Sequence, residues 1–169
     1  MLIAGITAEY DPFHNGHAFH ISETKKAGAD AVVSVMSSYF TQRGEPSLLT
    51  KEARARAALR GGADLVLELP AVWACGKAQS FARGAAAILN GLGNIDMISF
   101  GSECGDEKLI RSAVDALKTP EVDSLIREKL SGGVTYAVAR EKAVKEIAGK
   151  NVAGVLKNPN DTLAAEYMA

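Results

Sequence analysis

The chain has 169 residues, of which 47% are hydrophobic and 23% charged, with 19 Lys and Arg against 20 Asp and Glu. This composition is typical of a globular protein and excludes a disordered, collagen-like or coiled-coil chain. The net charge of -1 argues against a chain that wraps nucleic acid with its whole surface, but it is compatible with a local basic patch. We predict one domain over residues 1–169.

Cellular location is constrained by the apolar segments and the cysteines. No apolar run approaches the roughly 20 residues that span a bilayer, and the N-terminus lacks the basic region and cleavage site of a signal peptide. Cys75 and Cys104 lie far apart in the sequence and form no CxxC motif, which favours a reducing compartment. We therefore expect a cytoplasmic protein without a membrane partner.

The first hundred residues alternate β-branched runs with segments of helical periodicity. Strands are predicted at residues 2–7, 31–36, 65–69 and 95–100, and helices at 16–27, 51–60 and 77–89. Gly28 would end the first helix, and Thr50 would cap the second. Because strands that alternate with helices form βαβ crossovers, we predict an α/β fold with a doubly wound, Rossmann-like parallel sheet.

The pattern changes after Asp106. Helical periodicity with charged outer faces covers residues 107–117, 121–130 and 136–147, and no strand is indicated among them. A further helix follows Asn160, which has the residue type of an N-cap. We therefore predict a helical C-terminal portion.

In doubly wound sheets, ligands bind at the carboxyl ends of the strands. This rule directs attention to the loops after Thr7, Met36, Leu69 and Phe100. All three histidines, at positions 14, 17 and 20, follow the first of these strands and open a helix. Free N–H groups at a helix N-terminus favour a phosphate, and Gly16 would let the backbone approach it.

His14 and His17 are the candidate catalytic residues. Their imidazoles could donate hydrogen bonds to phosphate oxygens and stabilise the charge that develops during displacement at phosphorus. Two alternatives stay open. The histidines could be a structural cap and ordinary surface residues, or His17 and His20 could bind a metal with Glu9 or Asp11.

The second loop combines aromatic and basic residues. Tyr39 and Phe40 precede a segment with five basic residues, at 43, 51, 54, 56 and 60, and two acidic ones, at 45 and 52. Positive charge beside aromatic rings is typical of single-stranded RNA binding, so Arg43, Lys51 and Arg54 are candidate RNA contacts. The helix arginines could instead form a solvated face, and Arg43 could reach ATP or a carboxylate substrate.

Several motifs occur in one order along the chain. They are EYDPFHNGH at 9–17, QRGEP at 42–46, GADLVLELP at 62–70, FARG at 81–84, FGSE at 100–103 and NPND at 158–161. The HxGH element after a first strand resembles the signature of the nucleotidyltransferase superfamily. The ordered set resembles the tRNA(Met) cytidine acetate ligase family, and the resemblance covers nearly the whole chain.

The resemblance implies a reaction and a binding site. Members of this family use ATP and acetate to form acetyl-adenylate and then transfer the acetyl group to N4 of the wobble cytidine of elongator tRNA(Met). ATP with Mg²⁺ would be the cofactor. By this resemblance the nucleotide contacts would be Thr7, Ala8, Glu9, Tyr10, Asp11, Pro12, Phe13, His14, Asn15, Gly16, His17, His20, Gly101 and Asn160.

The chain departs from the family pattern in its second loop and its length. Ser38 stands where the family usually has glycine, and Glu52 where it usually has an aromatic residue. Family members are typically more than twice as long, so we expect either a nucleotide-binding domain excised from a longer enzyme or a naturally short relative. A small-metabolite adenylyltransferase and a non-catalytic nucleotide-binding domain are the alternative functions.

Overall fold

The computed structural model describes all 169 residues. The chain forms two compact units, Met1–Phe100 and Gly101–Ala169, which we call the sheet unit and the helical unit. The single domain over residues 1–169 stays a prediction. None of the helices is both long and apolar enough to cross a membrane.

The sheet unit is an α/β structure built on four parallel strands. Its elements are β1 (Ile3–Ala8), α1 (Asn15–Lys26), β2 (Ala31–Ser37), α2 (Lys51–Arg60), β3 (Leu65–Leu69), α3 (Ala71–Ala74), α4 (Ala78–Gly91) and β4 (Met97–Ser99). The strand order is β3-β2-β1-β4, with β1 parallel to both β2 and β4. The predicted doubly wound sheet is confirmed, and its order reverses between β1 and β4, where such folds bind ligands.

Three aspartates set the starts of the strands. Asp30 accepts a hydrogen bond from the backbone N–H of Leu2, Asp64 from Val32 and Asp96 from Ile3, at 2.7, 2.8 and 2.7 Å. Each carboxylate takes an N–H that a neighbouring strand would otherwise use. This explains why β4 begins at Met97, two residues later than predicted.

One apolar cluster of the sheet unit lies beneath the loop between β1 and α1. It joins Ile6 of β1, Ile21 of α1, and Val32 and Met36 of β2, together with Tyr10 from the loop itself. Burial of these apolar side chains contributes favourable free energy to the folding of the sheet unit. The loop is thus anchored on the core.

The helical unit contains α5 (Glu107–Leu117), α6 (Pro120–Ser131), α7 (Tyr136–Gly154), a 3-10 turn (Val155–Lys157) and α8 (Pro159–Met168). Its core joins α6 and α7 through Val122, Ile126, Ala139 and Val144. Helix α7 extends past its predicted end at residue 147. It is kinked at Gly149, whose φ of 87° is a left-handed conformation that glycine adopts without steric cost.

The predicted capping role of Asn160 is wrong. Helix α8 begins at Pro159, with Asn158 in the N-cap position, so Asn160 lies inside the first turn. The physical reason is Pro159, because proline favours the first helical position, where its missing N–H is not needed.

Candidate functional site

The loop between β1 and α1 makes a sharp turn at Tyr10. This residue has a φ of 51°, and its peptide neighbour Asp11–Pro12 is cis. The Tyr10 side chain is buried, and its hydroxyl lies 2.9 Å from the Ser34 hydroxyl. Burial raises the pKa of Tyr10, although the hydrogen bond with Ser34 lowers it, so the phenol stays neutral.

Helix α1 is capped by two histidines. The His14 Nδ1 accepts a hydrogen bond from the Gly16 N–H at 3.0 Å, and the His17 Nδ1 accepts one from the His14 N–H at 3.2 Å. The two imidazoles are stacked, with ring centroids 3.8 Å apart. The alternative of a structural cap therefore describes part of what these residues do.

The cap also determines which nitrogen of each ring carries the proton. Because Nδ1 accepts a hydrogen bond in both rings, the neutral imidazoles carry their proton on Nε2. Each histidine thus retains an Nε2–H donor beside the N-terminus of α1, where the helix dipole favours an anion. Capping and phosphate binding are compatible, since they use opposite nitrogens.

The surroundings of His17 disfavour protonation of its imidazole. Burial, together with the neighbouring His14 and His20, lowers the pKa of His17 to about 4. Tyr10 contributes to that burial, because its ring meets the His17 ring edge to face at 4.9 Å. His17 is therefore a neutral hydrogen-bond donor at physiological pH.

The structure gives a reason for glycine at position 16 that the sequence did not indicate. A Cβ atom at this position would lie 2.9 Å from Cε1 and 3.1 Å from Nδ1 of His14. Any larger residue would displace the capping imidazole. The close approach at Gly16 is thus made by the His14 side chain.

One buried polar atom near this loop has no partner. The Thr7 Oγ1, near the carboxyl end of β1, is buried and forms no hydrogen bond. A buried hydroxyl without a partner is costly, and such atoms in native structures call for an explanation. A phosphate or ribose oxygen of a nucleotide has the chemistry to satisfy it.

His20 has a separate role in the sheet unit. Its Nε2 lies 2.9 Å from the Ser99 hydroxyl, which lies 2.7 Å from the Thr24 hydroxyl, and Thr24 donates to the His20 carbonyl at 2.8 Å. Since Thr24 uses its proton on that carbonyl, Ser99 donates to Thr24 and accepts from His20. These hydrogen bonds connect α1 to the end of β4, and they use the Nε2–H of His20.

The alternative metal site is not assembled. The Glu9 carboxylate accepts a hydrogen bond from the Gln42 N–H, and the Asp11 carboxylate accepts one from the Leu48 N–H at 2.8 Å. No three His, Cys, Asp or Glu side chains are grouped so that they could hold a metal ion. The two carboxylates instead join the first loop to the second.

The second loop, residues 38–50, has a hairpin-like tip. An antiparallel bridge pairs Phe40 with Pro46, and Arg43 is exposed at the turn between them. Lys51 lies 4.8 Å from the centre of the Tyr39 ring and forms an ion pair with Glu68 at 2.6 Å. Glu68 therefore forms a salt bridge at the carboxyl end of β3.

Arg54 does not belong to an RNA-facing surface. Its side chain is completely buried, although the sequence placed it with Arg43 and Lys51 as an RNA contact. Its guanidinium donates hydrogen bonds to the carbonyls of Glu9 and Ser38. The positions of the basic residues along α2 did not indicate that this arginine is buried. The local positive charge that faces solvent is accordingly smaller than the sequence suggested.

The helical unit contains the other two predicted contacts, Gly101 and Asn160. The Glu103 carboxylate accepts hydrogen bonds from the backbone N–H groups of Asn160 and Asp161, at 3.1 and 2.8 Å. The buried Asp161 carboxylate in turn accepts from the Glu103 N–H at 2.9 Å and from the Ser102 hydroxyl at 2.5 Å. These reciprocal hydrogen bonds hold the loop that begins at Gly101 next to the first turn of α8.

The charge of Asp161 is maintained by these contacts. Burial alone would raise the pKa of Asp161, but hydrogen bonds from Ser102, Asn158 and Cys104 outweigh it and hold the pKa below its ordinary value. Sequence reasoning missed Asp161, Glu103, Ser99 and Arg54 as organising residues. The sequence does contain a signal for Asp161 and Glu103, because they lie in the NPND and FGSE motifs.

Comparison with known proteins agrees with this architecture. The family model described as HIGH Nucleotidyl Transferase matches residues 1–169, so the chain belongs to the HIGH nucleotidyl transferase family. The predicted fold class and the predicted superfamily are thereby confirmed.

The relatives are more specific. The chain is 45% identical to the tRNA(Met) cytidine acetate ligase of Acetivibrio thermocellus and 43% identical to that of Caldicellulosiruptor saccharolyticus, over 99% of its own length and 42% of each relative. Its fold matches the crystal structure of Thermotoga maritima TmcAL bound with alpha-thio ATP, with a TM-score of 0.88 and 39% identity, over 99% of this chain and 42% of that one. The chain thus spans less than half the length of these relatives.

Proposed function

We propose that this chain is the ATP-binding part of a tRNA(Met) cytidine acetate ligase. In the proposed reaction an acetate oxygen attacks the α-phosphorus of ATP and pyrophosphate leaves. N4 of the wobble cytidine of elongator tRNA(Met) then attacks the acetyl carbon, and AMP leaves. The names of the relatives and the ATP analogue bound by the structural neighbour support this proposal.

The observation that carries the proposal is the paired imidazole cap. His14 and His17 hold two Nε2–H donors side by side at the N-terminus of α1, and the Thr7 hydroxyl near the end of β1 lacks a partner. Donors that are fixed before the ligand arrives stabilise charge developing on phosphate oxygens without reorganisation. We place the triphosphate of ATP on these donors.

Magnesium, acetate and RNA belong to the same proposal. Mg²⁺ would be held by the ATP phosphates and water, since Glu9 and Asp11 already accept backbone hydrogen bonds. Arg43 and Lys51 stay as proposed RNA contacts, and Gly101 and Asn160 as proposed nucleotide contacts. Two exposed free cysteines favour the reducing cytoplasm as the location.

Calorimetry with ATP and a non-hydrolysable analogue tests the binding step. We expect His17→Ala to weaken binding by about tenfold or more, because it removes a hydrogen bond to a charged group. Lys26→Ala is the matched control, since Lys26 is exposed on the same helix and pairs only with Glu23. Unchanged binding in His17→Ala, or no binding by the unaltered chain, would contradict the proposal.

Pyrophosphate release with and without acetate and elongator tRNA(Met) tests the reaction. The proposal requires release that depends on acetate and an acetylated tRNA as the final product. A dinucleotide-type product formed from ATP and a phosphorylated metabolite would instead identify an adenylyltransferase. Tight ATP binding without release under any of these conditions would identify a nucleotide-binding domain.

A further inference from the structure

Arg54 is a buried cation whose hydrogen-bond acceptors are all neutral. Its guanidinium donates to the Glu9 carbonyl at 2.5 Å, to the Leu49 carbonyl at 3.3 Å, to the Ser37 hydroxyl at 3.4 Å and to the Ser38 carbonyl. It forms no ion pair with a carboxylate, and its side chain is completely buried. An arginine keeps its charge at any physiological pH, so the sheet unit contains a buried positive charge without a counterion.

A buried charge of this kind has to be stabilised by well-oriented dipoles. The planar fork of arginine suits this task, since its donors are fixed in direction and can hold several carbonyls at once. The carbonyls held by Arg54 come from Glu9 and Ser38, which directly follow the neighbouring strands β1 and β2, and from Leu49, two residues before α2. Arg54 therefore ties together segments that are distant in sequence.

The carbonyl of Glu9 is the critical acceptor, because it immediately precedes Tyr10. Tyr10 has a left-handed φ of 51°, a conformation that is unfavourable for a residue with a side chain. The turn directs the Tyr10 ring into the core, where it meets the His17 ring at 4.9 Å and the Phe13 ring at 5.1 Å. Arg54 thus acts on the histidine pair through the Glu9–Tyr10 peptide.

The same residue fastens the second loop. Arg54 holds Ser38, and the carboxylates of Glu9 and Asp11 accept hydrogen bonds from the N–H groups of Gln42 and Leu48. The first loop therefore holds the second at two points beyond the guanidinium. A change in either loop is transmitted to the other through these contacts.

We propose that Arg54 is a positioning residue for the nucleotide site, which clamps the Glu9–Tyr10 turn beneath His17 and joins the loop of residues 38–50 to it. Arg54 does not touch the nucleotide. It preorganises the residues that do, so that ATP meets donors already in place. The expected effect of Arg54 on ATP binding rests on the proposed function. Its expected effect on the position of His17 rests on the structure alone.

The test compares Arg54→Lys with Arg56→Lys. Arg54→Lys keeps the charge and loses the fork, whereas Arg56 is an exposed arginine two residues along the same helix. At a temperature where both variants are folded, we expect Arg54→Lys to weaken ATP binding by about tenfold or more, as for a lost preorganised geometry. It should also shift the imidazole NMR signals of His17 without ATP. Arg56→Lys should change neither.

The outcomes separate a positioning role from a merely structural one. A variant Arg54→Lys that melts at a lower temperature, yet keeps its ATP affinity and the His17 signals, would overturn the proposal. Loss of folding in both Arg54→Lys and Arg54→Met would also overturn it, since the residue would then hold the whole unit. If the unaltered chain fails to bind ATP, the proposed function fails, and the His17 signals still decide the role of Arg54.

Discussion

Each of the two units of this protein has one completely buried charged side chain, and the two side chains have opposite signs. Arg54 of the sheet unit and Asp161 of the helical unit both expose 0% of their surface. Arg54 donates to the carbonyls of Glu9, Ser38 and Leu49, whereas Asp161 accepts from the N–H groups of Glu103 and Cys104 and from two side chains. Neither has a counterion.

The difference lies in what each charge organises. Arg54 joins two loops that follow parallel strands, whereas Asp161 joins a loop to the first turn of a helix, whose N–H groups lack partners within the helix. In both units the oriented peptide dipoles replace the counterion. In both units, the completely buried charge without a counterion therefore lies where irregular backbone is held in one conformation.

The largest loss of stability is expected when the buried charge of the helical unit is removed. Asp161→Asn replaces one accepting oxygen with an NH₂ group that faces the donors of Asn158 and Cys104. We expect it to lower the free energy of unfolding by about 3 kcal/mol, the range for leaving buried groups unsatisfied. Chemical denaturation followed by circular dichroism and by hydrogen exchange of residues 101–169 measures this loss.

The control is Asp123→Asn, which removes an exposed carboxylate paired with Arg127 in the same unit. Its effect should be well under that of Asp161→Asn, because exposed ion pairs contribute little. The sole tryptophan, Trp73 in α3, reports on the sheet unit. Coincident transitions in Trp73 fluorescence and circular dichroism would support the predicted single domain, and equal losses in the two variants would contradict the role of Asp161.

The second prediction separates the two units by pH. The folded pKa of His17 is about 4 against an ordinary 6.5, so its contribution to stability is complete above pH 6.5 and is lost as the pH falls towards 4. The pKa of Asp161 is lowered from 3.8, so its contribution is intact above that value and is lost below it. On acidification the sheet unit should therefore weaken first.

NMR titration of the imidazoles, together with hydrogen exchange of each unit from pH 7 to pH 3, measures this order. ATP should raise the pKa of His17, because phosphate oxygens favour the imidazolium form. Simultaneous weakening of both units, or a His17 that titrates near 6.5, would contradict the arrangement of the paired imidazoles.

A smaller effect is expected from the neutral hydrogen-bond chain in the sheet unit. Ser99→Ala removes the hydroxyl that links His20 to Thr24 and should lower the free energy of unfolding by about 1 kcal/mol, the usual value for one neutral hydrogen bond. Ser112→Ala is the control, since its hydroxyl bonds only within its own helix. A loss as large as that of Asp161→Asn would show that buried charge is not the distinguishing feature.

The smallest effect should come from the exposed ion pair between Lys51 and Glu68. Hydrogen bonding to Glu68 raises the pKa of Lys51, and the same contact lowers the pKa of Glu68. Because solvent screens both groups, Lys51→Met should leave the melting temperature unchanged within error. A clear fall in melting temperature would mean that this surface pair contributes more than its exposure suggests.

Much of the fold follows from local pattern. Strand β3 and helix α5 match their predicted bounds, because each has a clear boundary residue: Pro70 ends β3, and Asp106 is the N-cap of α5. Helix α3 was missed, since four residues are too few to show a period. The N-cap of α8 was misplaced by two residues because Pro159 was not read as its first helical residue.

The roles of individual site residues follow less directly from pattern. Clustering of His14, His17 and His20 pointed to a candidate site, yet the sequence could not assign their separate roles. Their ring nitrogens are used differently: Nδ1 caps the helix in the first two, whereas the His20 Nε2 meets Ser99 from β4. Such a division depends on contacts between segments up to 79 residues apart.

The sequence by itself determined the order of elements, the doubly wound class and the loops at the carboxyl ends of the strands, because periodicity and turn residues are local properties. Only the tertiary structure decided which charges face solvent. Arg54 and Arg56 are the same residue type on one helix, and one is buried beneath two loops while the other is exposed. Burial depends on what the rest of the chain places over a residue, and for Arg54 that is the backbone of Glu9 and Ser38.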